Sequence, residues 1–296
     1  MSTRAKVFTG LGIYVALIVA VAVGFGWTRD DNKAFQPQNE FKLDDWIDLG
    51  VFSVNKAVMY VVIAGLLTVV TMVWIANRMQ ARPNRVQTLV EMLFSLMRDN
   101  ITRGNMDDKM AAKWFPFIGT IFLFIWFSNM IGYIPLPTNT HEKFDLFGLQ
   151  IPSFALYAAT ANLSIPLVLA LVVWISYNVE GIRAKGFVGY LKSLIPQGVQ
   201  GPMAGFIFVL EFFSNVMRLM SLSVRLFANI LAGHLIILFM GGALVVLLGI
   251  EALGVITLPM GVVLFLFEVG LVATLQAFIF ATLTAIYLGS AVAEEH

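Results

Sequence analysis

Five ionisable side chains stand inside runs that are otherwise aliphatic and aromatic: Glu211, Arg218, Arg225, His234 and Glu268. The densest group lies in EFFSNVMRLMSLSVRLFAN, residues 211–229. Its polar positions Glu211, Asn215, Arg218, Ser221, Arg225 and Asn229 recur at steps of three or four, which keeps them on one side of an α-helix. The stripe covers roughly 27 Å at helical rise, close to the hydrocarbon thickness of a bilayer. His234, nine residues beyond Arg225, points to the opposite side. A guanidinium keeps its proton in proteins, so Arg225 is no proton carrier. It can stay cationic in a low dielectric, attract a carboxylate and lower that acid's pKa. An arginine at mid-bilayer costs from about 3 to above 10 kcal/mol, so Arg225, far from either end of its run, is read as functional. Arg218 either serves the same site or snorkels to the headgroups. Glu211 is fourteen residues from Arg225, so the partner acid is expected on another polypeptide.

A second polar set lies in FEVGLVATLQAFIF, residues 267–280. Glu268 with His234 forms either a proton relay or a hydrogen-bonded pair tying two helices. Gln276 never ionises and fits helix pairing or the positioning of Arg225. Asn129 in FSNMIGYIPLP and Asn162 in ATANLSIP either join helices or line a water path.

These residues need a membrane to position them, and the composition supplies one. The 296 residues are 59% hydrophobic and 12% charged, against roughly 25% charged in soluble domains. Apolar runs at about 7–27, 57–76, 114–136, 154–177, 202–240 and 262–290 predict an all-α polytopic membrane protein of about six spans. The last two runs exceed one crossing and are expected to form a long, strongly tilted hairpin. The first run is a retained span or a signal peptide; no A-x-A-like cleavage site follows it, which favours the span. Two regions result: 1–56, with the first span and an extracytoplasmic segment, and a membrane domain over 57–296. Twelve lysines and arginines, among them Arg78, Arg82, Arg85, Arg98 and Arg103, fall on the side of both termini, against five opposite. The positive-inside rule makes that side cytoplasmic if the first span is retained. Residues 82–101 read as an amphipathic helix on that surface, either a plain connector or a docking site. A net charge of +1 gives no reason to expect nucleic acid, and zero cysteines exclude disulfides and thiolate chemistry. His141, His234 and His296 share no ligand spacing, so neither a metal nor a cofactor is expected.

SLSVRLFANILAGH, followed by TLQAFIFATLTAIYLGSAVAEEH, resembles subunit a of the F-type ATP synthase membrane sector. The likeness extends more loosely over 40–296, through RVQTLVEMLFSLMRDNI, FSNMIGYIP and GFVGYLKSLIP. It implies a stator with two aqueous half-channels beside a rotating ring of subunit c, each c subunit bringing a carboxylate at lipid depth. The family's essential arginine maps onto Arg225, its asparagine onto Asn229 and its glutamine onto Gln276. The outer half-channel pair maps onto His234 and Glu268, and an inner half-channel acid onto Glu211; Asn129 also matches. Glu268 precedes Gln276 by eight residues rather than seven, and Gly132 stands where some relatives carry an acid. The implied partners are the c-ring, the subunit b peripheral stalk, the rest of the synthase, the lipid bilayer and the translocated H+, with Na+ left open. The implied location is a bacterial inner (plasma) membrane. No ATP site is expected on this chain. A stand-alone transporter should show a complete site at repeats, and an intramembrane hydrolase a nucleophile with its base; neither pattern is visible.

Overall fold

The computed structural model describes residues 43, 45–48, 53–78, 80, 84–146, 149–195, 199, 201–243, 245 and 253–293. The expected first span, 7–27, lies outside the described residues. Among the described residues, five helices are long and apolar enough to cross a membrane: Lys56–Arg78, Asp108–Gly132, Ser164–Lys185, Pro202–Ala243 and Gly254–Val292. The chain is thus a polytopic helical membrane protein. Its described elements fall into two compact units, one within 45–134, 158–230 and 273–293, the other within 135–157 and 231–272.

In the larger unit, β1 (Asp45–Asp48) pairs antiparallel with β2 (Ser53–Asn55), which leads into α1 (Lys56–Arg78). The amphipathic segment follows as α2 (Arg85–Ser95). Asn84 caps it, its Oδ1 accepting from the Gln87 backbone N–H at 2.8 Å. A π-turn over Leu96–Thr102 and the short α3 (Arg103–Asn105) then lead to α4 (Asp108–Gly132). After a 3₁₀ turn at Ala159–Ala161 comes α5 (Ser164–Lys185), which begins ten residues later than the apolar run at 154 predicts. Hydropathy does not separate an apolar strand from a helix, and Pro166 is tolerated only because it sits in the first helical turn. The helix instead continues through YNVEGIRAK to Gly186, whose φ of 74° suits a residue without Cβ. A short α6 (Phe187–Lys192) and the start of α7 (Pro202–Leu238) follow. At 37 residues, α7 measures roughly 55 Å against about 30 Å of hydrocarbon, so it tilts steeply or extends past the core.

The last helix, α9 (Ala273–Val292), packs on α4 and α5, while α1 packs on α4. Ala273, Ala277, Ala281 and Ala285 are fully buried at four-residue spacing, and Gly289 continues the series against the Asn105 carbonyl. In lipid the hydrophobic effect does not drive helices together, so small residues permit the close approach that gives dispersion contact. Gly132 does the same against the Ala158 backbone. A Lys113–Glu180 ion pair adds a link between α4 and α5.

In the other unit, β3 (Leu136–Leu146) and β4 (Leu149–Ala155) form an antiparallel hairpin that the hydropathy pattern does not foretell. The end of α7 runs into a π-turn at Phe239–Ala243, on which α8 (Gly254–Phe267) packs, with Gly261 against the Met240 backbone. A further π-turn, Glu268–Val272, closes the unit.

A side chain at 289 must displace the Asn105 backbone, so Gly289→Val is expected to lower the thermal midpoint of the assembled protein by several degrees. Exposed Ile286→Val should leave it unchanged; equal midpoints for both would show that the stripe is not a close contact.

Candidate functional site

The polar stripe on α7 splits by exposure. Asn215 is buried, Glu211 and Arg218 are half-buried, and Ser221, Arg225 and Asn229 are exposed. Leu222, Leu226 and Ile230 supply the buried side of the same segment. The stripe therefore runs along the margin of the packed face, its early members turned into the unit and its later ones out. Among the described residues, no hydrogen bond or ion pair holds Arg225. Four residues on, Asn229 donates from Nδ2 to Gln276 Oε1 at 2.7 Å, joining α7 to α9. The two amides that sequence reasoning singled out separately are thus one contact.

The inward members line a cavity of about 400 Å³, together with Tyr177, Tyr190, Tyr287 and Ser290. Asn215 is its centre. Its Nδ2 donates to Asn178 Oδ1 at 3.1 Å, and its Oδ1 accepts from the Tyr177 hydroxyl. The Tyr190 hydroxyl donates to the same Asn178 oxygen at 2.8 Å. The Arg218 guanidinium lies 5.5 Å from the Tyr287 ring centroid, a cation–π distance. Burial pushes the Tyr190 hydroxyl above its ordinary range, against smaller opposing effects of the Asn215 hydrogen bond and the Arg218 charge. It remains a neutral hydrogen-bond donor around neutral pH. Sequence reasoning missed Tyr177, Asn178, Tyr190 and Tyr287. A signal existed in WISYN: Trp174, Tyr177 and Asn178 stand at i, i+3 and i+4 within an apolar span.

Asn129 is fully buried; it accepts from Thr160 Oγ1 at 2.7 Å and donates to the Ala273 carbonyl at 3.3 Å, linking α4 to the Ala159–Ala161 turn and to α9. Asn162 Oδ1 accepts from the Ser164 N–H at 3.0 Å, a bond within its own turn at the start of α5.

In the smaller unit, His234 and Glu268 are both buried. The Glu268 carboxyl packs so closely on Gly233 that a Cβ there would collide with it. Glu268 opens the π-turn, which takes in one residue more than an α-turn. Such turns concentrate at functional sites.

The ATP synthase A chain family model matches residues 58–289. The chain belongs to this family. It is 32% identical over 272 residues to ATP synthase subunit a of Maricaulis maris, covering 88% of this chain and 98% of that protein. The Pelagibacter ubique subunit a is 31% identical over 268 residues, 89% of this chain and all of that one. The subunit a of a Nocardioides species is 31% identical over 256 residues, 83% and 84% of the two chains.

In the family's own setting, Gly233→Ala is expected to displace the Glu268 carboxyl and reduce ATP-driven acidification of vesicles carrying the whole synthase severalfold. Shortening the acid relieves the collision, so Glu268→Asp should cost less in the Gly233→Ala background than alone. Additive losses would show that the two residues do not share the space.

Proposed function

We propose that this chain is the proton-translocating stator subunit of an F-type ATP synthase, with residues 57–296 as its working domain. It forms two aqueous half-channels against a rotating c-ring, and Arg225 faces the ring carboxylates and separates the half-channels. The observation that carries this reading is an exposed arginine, held by no described residue, within a long apolar helix. A cation in that position is stabilised by an acid brought beside it, and a ring of subunits that each carry one would bring them in turn. Near Arg225 an arriving carboxylic acid loses its proton more readily, because the guanidinium favours the charged form. The guanidinium itself neither accepts nor passes that proton, so it closes the direct route between the half-channels.

The cavity at Glu211, Asn215, Arg218 and Tyr190 suits the inner half-channel: it is polar, and Glu211 is an acid able to exchange protons with water. Ser221 lies on α7 between this cavity and Arg225. Buried His234 and Glu268 suit the outer half-channel, since an imidazole and a carboxyl are the side chains that can pass a proton onward. The Asn229–Gln276 contact fixes the α7 turn just beyond Arg225, Asn129 links helices that carry the path, and Asn162 closes the turn at the start of α5. The subunit b stalk would keep this stator from turning with the ring. The membrane would be a bacterial inner membrane, with both termini in the cytoplasm if the first span is retained. One elementary charge falling through 100 mV supplies about 2.3 kcal/mol, so many single-proton steps must be summed for each ATP.

Arg225→Ala in membranes containing the whole complex tests the reading. ATP-driven proton pumping should fall to background while the catalytic head still hydrolyses ATP, and passive proton leak should rise. Unchanged pumping would overturn it.

A further inference from the structure

At the elbow between α1 and α2, two cavities of opposite character adjoin. The first, about 110 Å³, is lined by Trp74, Arg78, Gln80, Asn84 and Gln87. The second, about 310 Å³, is almost wholly apolar and lies among α1, α2 and α4, with Met72, Phe94, Phe115, Gly119 and Phe122 in its wall. Ile75 and Val90 line both, so the two spaces share a boundary. Arg78 is the last residue of α1, whereas Met72 and Ile75 lie three to six residues earlier, that is, deeper along a membrane-spanning helix. Polar space is therefore at the helix end and apolar space on the membrane side.

The polar part is built rather than incidental. Gln87 Nε2 donates to the Gln80 carbonyl at 2.8 Å, and Gln87 Oε1 accepts from the Gln80 N–H at 3.1 Å. Gln87 Nε2 also donates to Glu91 Oε1 at 2.7 Å, and Asn84 caps α2 through the Gln87 N–H. These bonds tie Gln80 and Asn84 to the first turn of α2, and Arg78 has no ion pair among the described residues. Trp74, 47% exposed and one turn before Arg78, is the type of residue that settles at the headgroup level.

We infer that this elbow binds one anionic phospholipid, its phosphate on Arg78 beside Gln80 and Asn84 and an acyl chain in the apolar cavity under α2. Charge and layering select this occupant. A basic pocket at the end of a spanning helix attracts an anionic headgroup, and an apolar cavity at chain depth continues it. A hydrophobic helix of another subunit would fill the apolar cavity but leave the cation without a partner. The site is separate from the proton path and holds whether or not that reading stands.

Gly119 allows a specific test, because a Cβ there meets nothing within 4 Å and a larger side chain grows into open space. The intact synthase, stripped of lipid and incubated with equal phosphatidylglycerol and phosphatidylcholine, is analysed by mass spectrometry for bound lipid per complex. Arg78→Gln and Gly119→Leu should each lose one phosphatidylglycerol and keep the same phosphatidylcholine, while Arg78→Lys retains it. Unchanged phosphatidylglycerol in both Arg78→Gln and Gly119→Leu overturns the inference, as does equal loss of the two lipids.

Discussion

A guanidinium cannot shed its charge, and hydrocarbon cannot solvate it. Arg225 meets both conditions on an exposed face of α7, with none of the described residues to pair with it. Most buried or membrane-depth charges are neutralised by partners in the same chain. On the function proposed above, the neutralising acid comes from a neighbouring subunit, and the packing around α7 holds the cation where that acid can meet it.

Helix α7 is tied to α5 through the Asn215 bonds and to the last helix through Asn229. The alanine series and Gly289 let α9 lie close to α4 and α5, where larger side chains would keep it off. That closeness brings Gln276 within reach of Asn229. A polar contact between two apolar helices has few alternatives in lipid, so it fixes rotation as well as distance. Among the described residues the polar groups used in the proposed function stand in two settings: a cavity around Asn215 and Arg218 in the larger unit, and buried His234 and Glu268 in the smaller one.

How much of this the sequence reveals depends on how local each feature is. The stripe from Glu211 to Asn229 is legible because its period belongs to one helix. The spans are legible from hydropathy, although 154–163 misleads, since apolar residues suit a strand or a turn as well as a helix. The β3–β4 hairpin is not legible for the same reason. The network of Tyr177, Asn178, Asn215 and Tyr190 depends on pairs twelve to thirty-eight residues apart, which no periodicity reports. The π-turn at 268–272 is likewise invisible to a period-3.6 reading of the apolar run.

The most direct measurement is the distance from Arg225 to the nearest ring carboxylate in an experimental structure of the assembled synthase. If Arg225 is the counter-charge, one ring carboxylate lies within about 4–6 Å of its guanidinium, the range over which opposite charges shift an acid's pKa. An Arg225 that instead faces lipid, or pairs with an acid of a non-rotating subunit, would contradict the central claim.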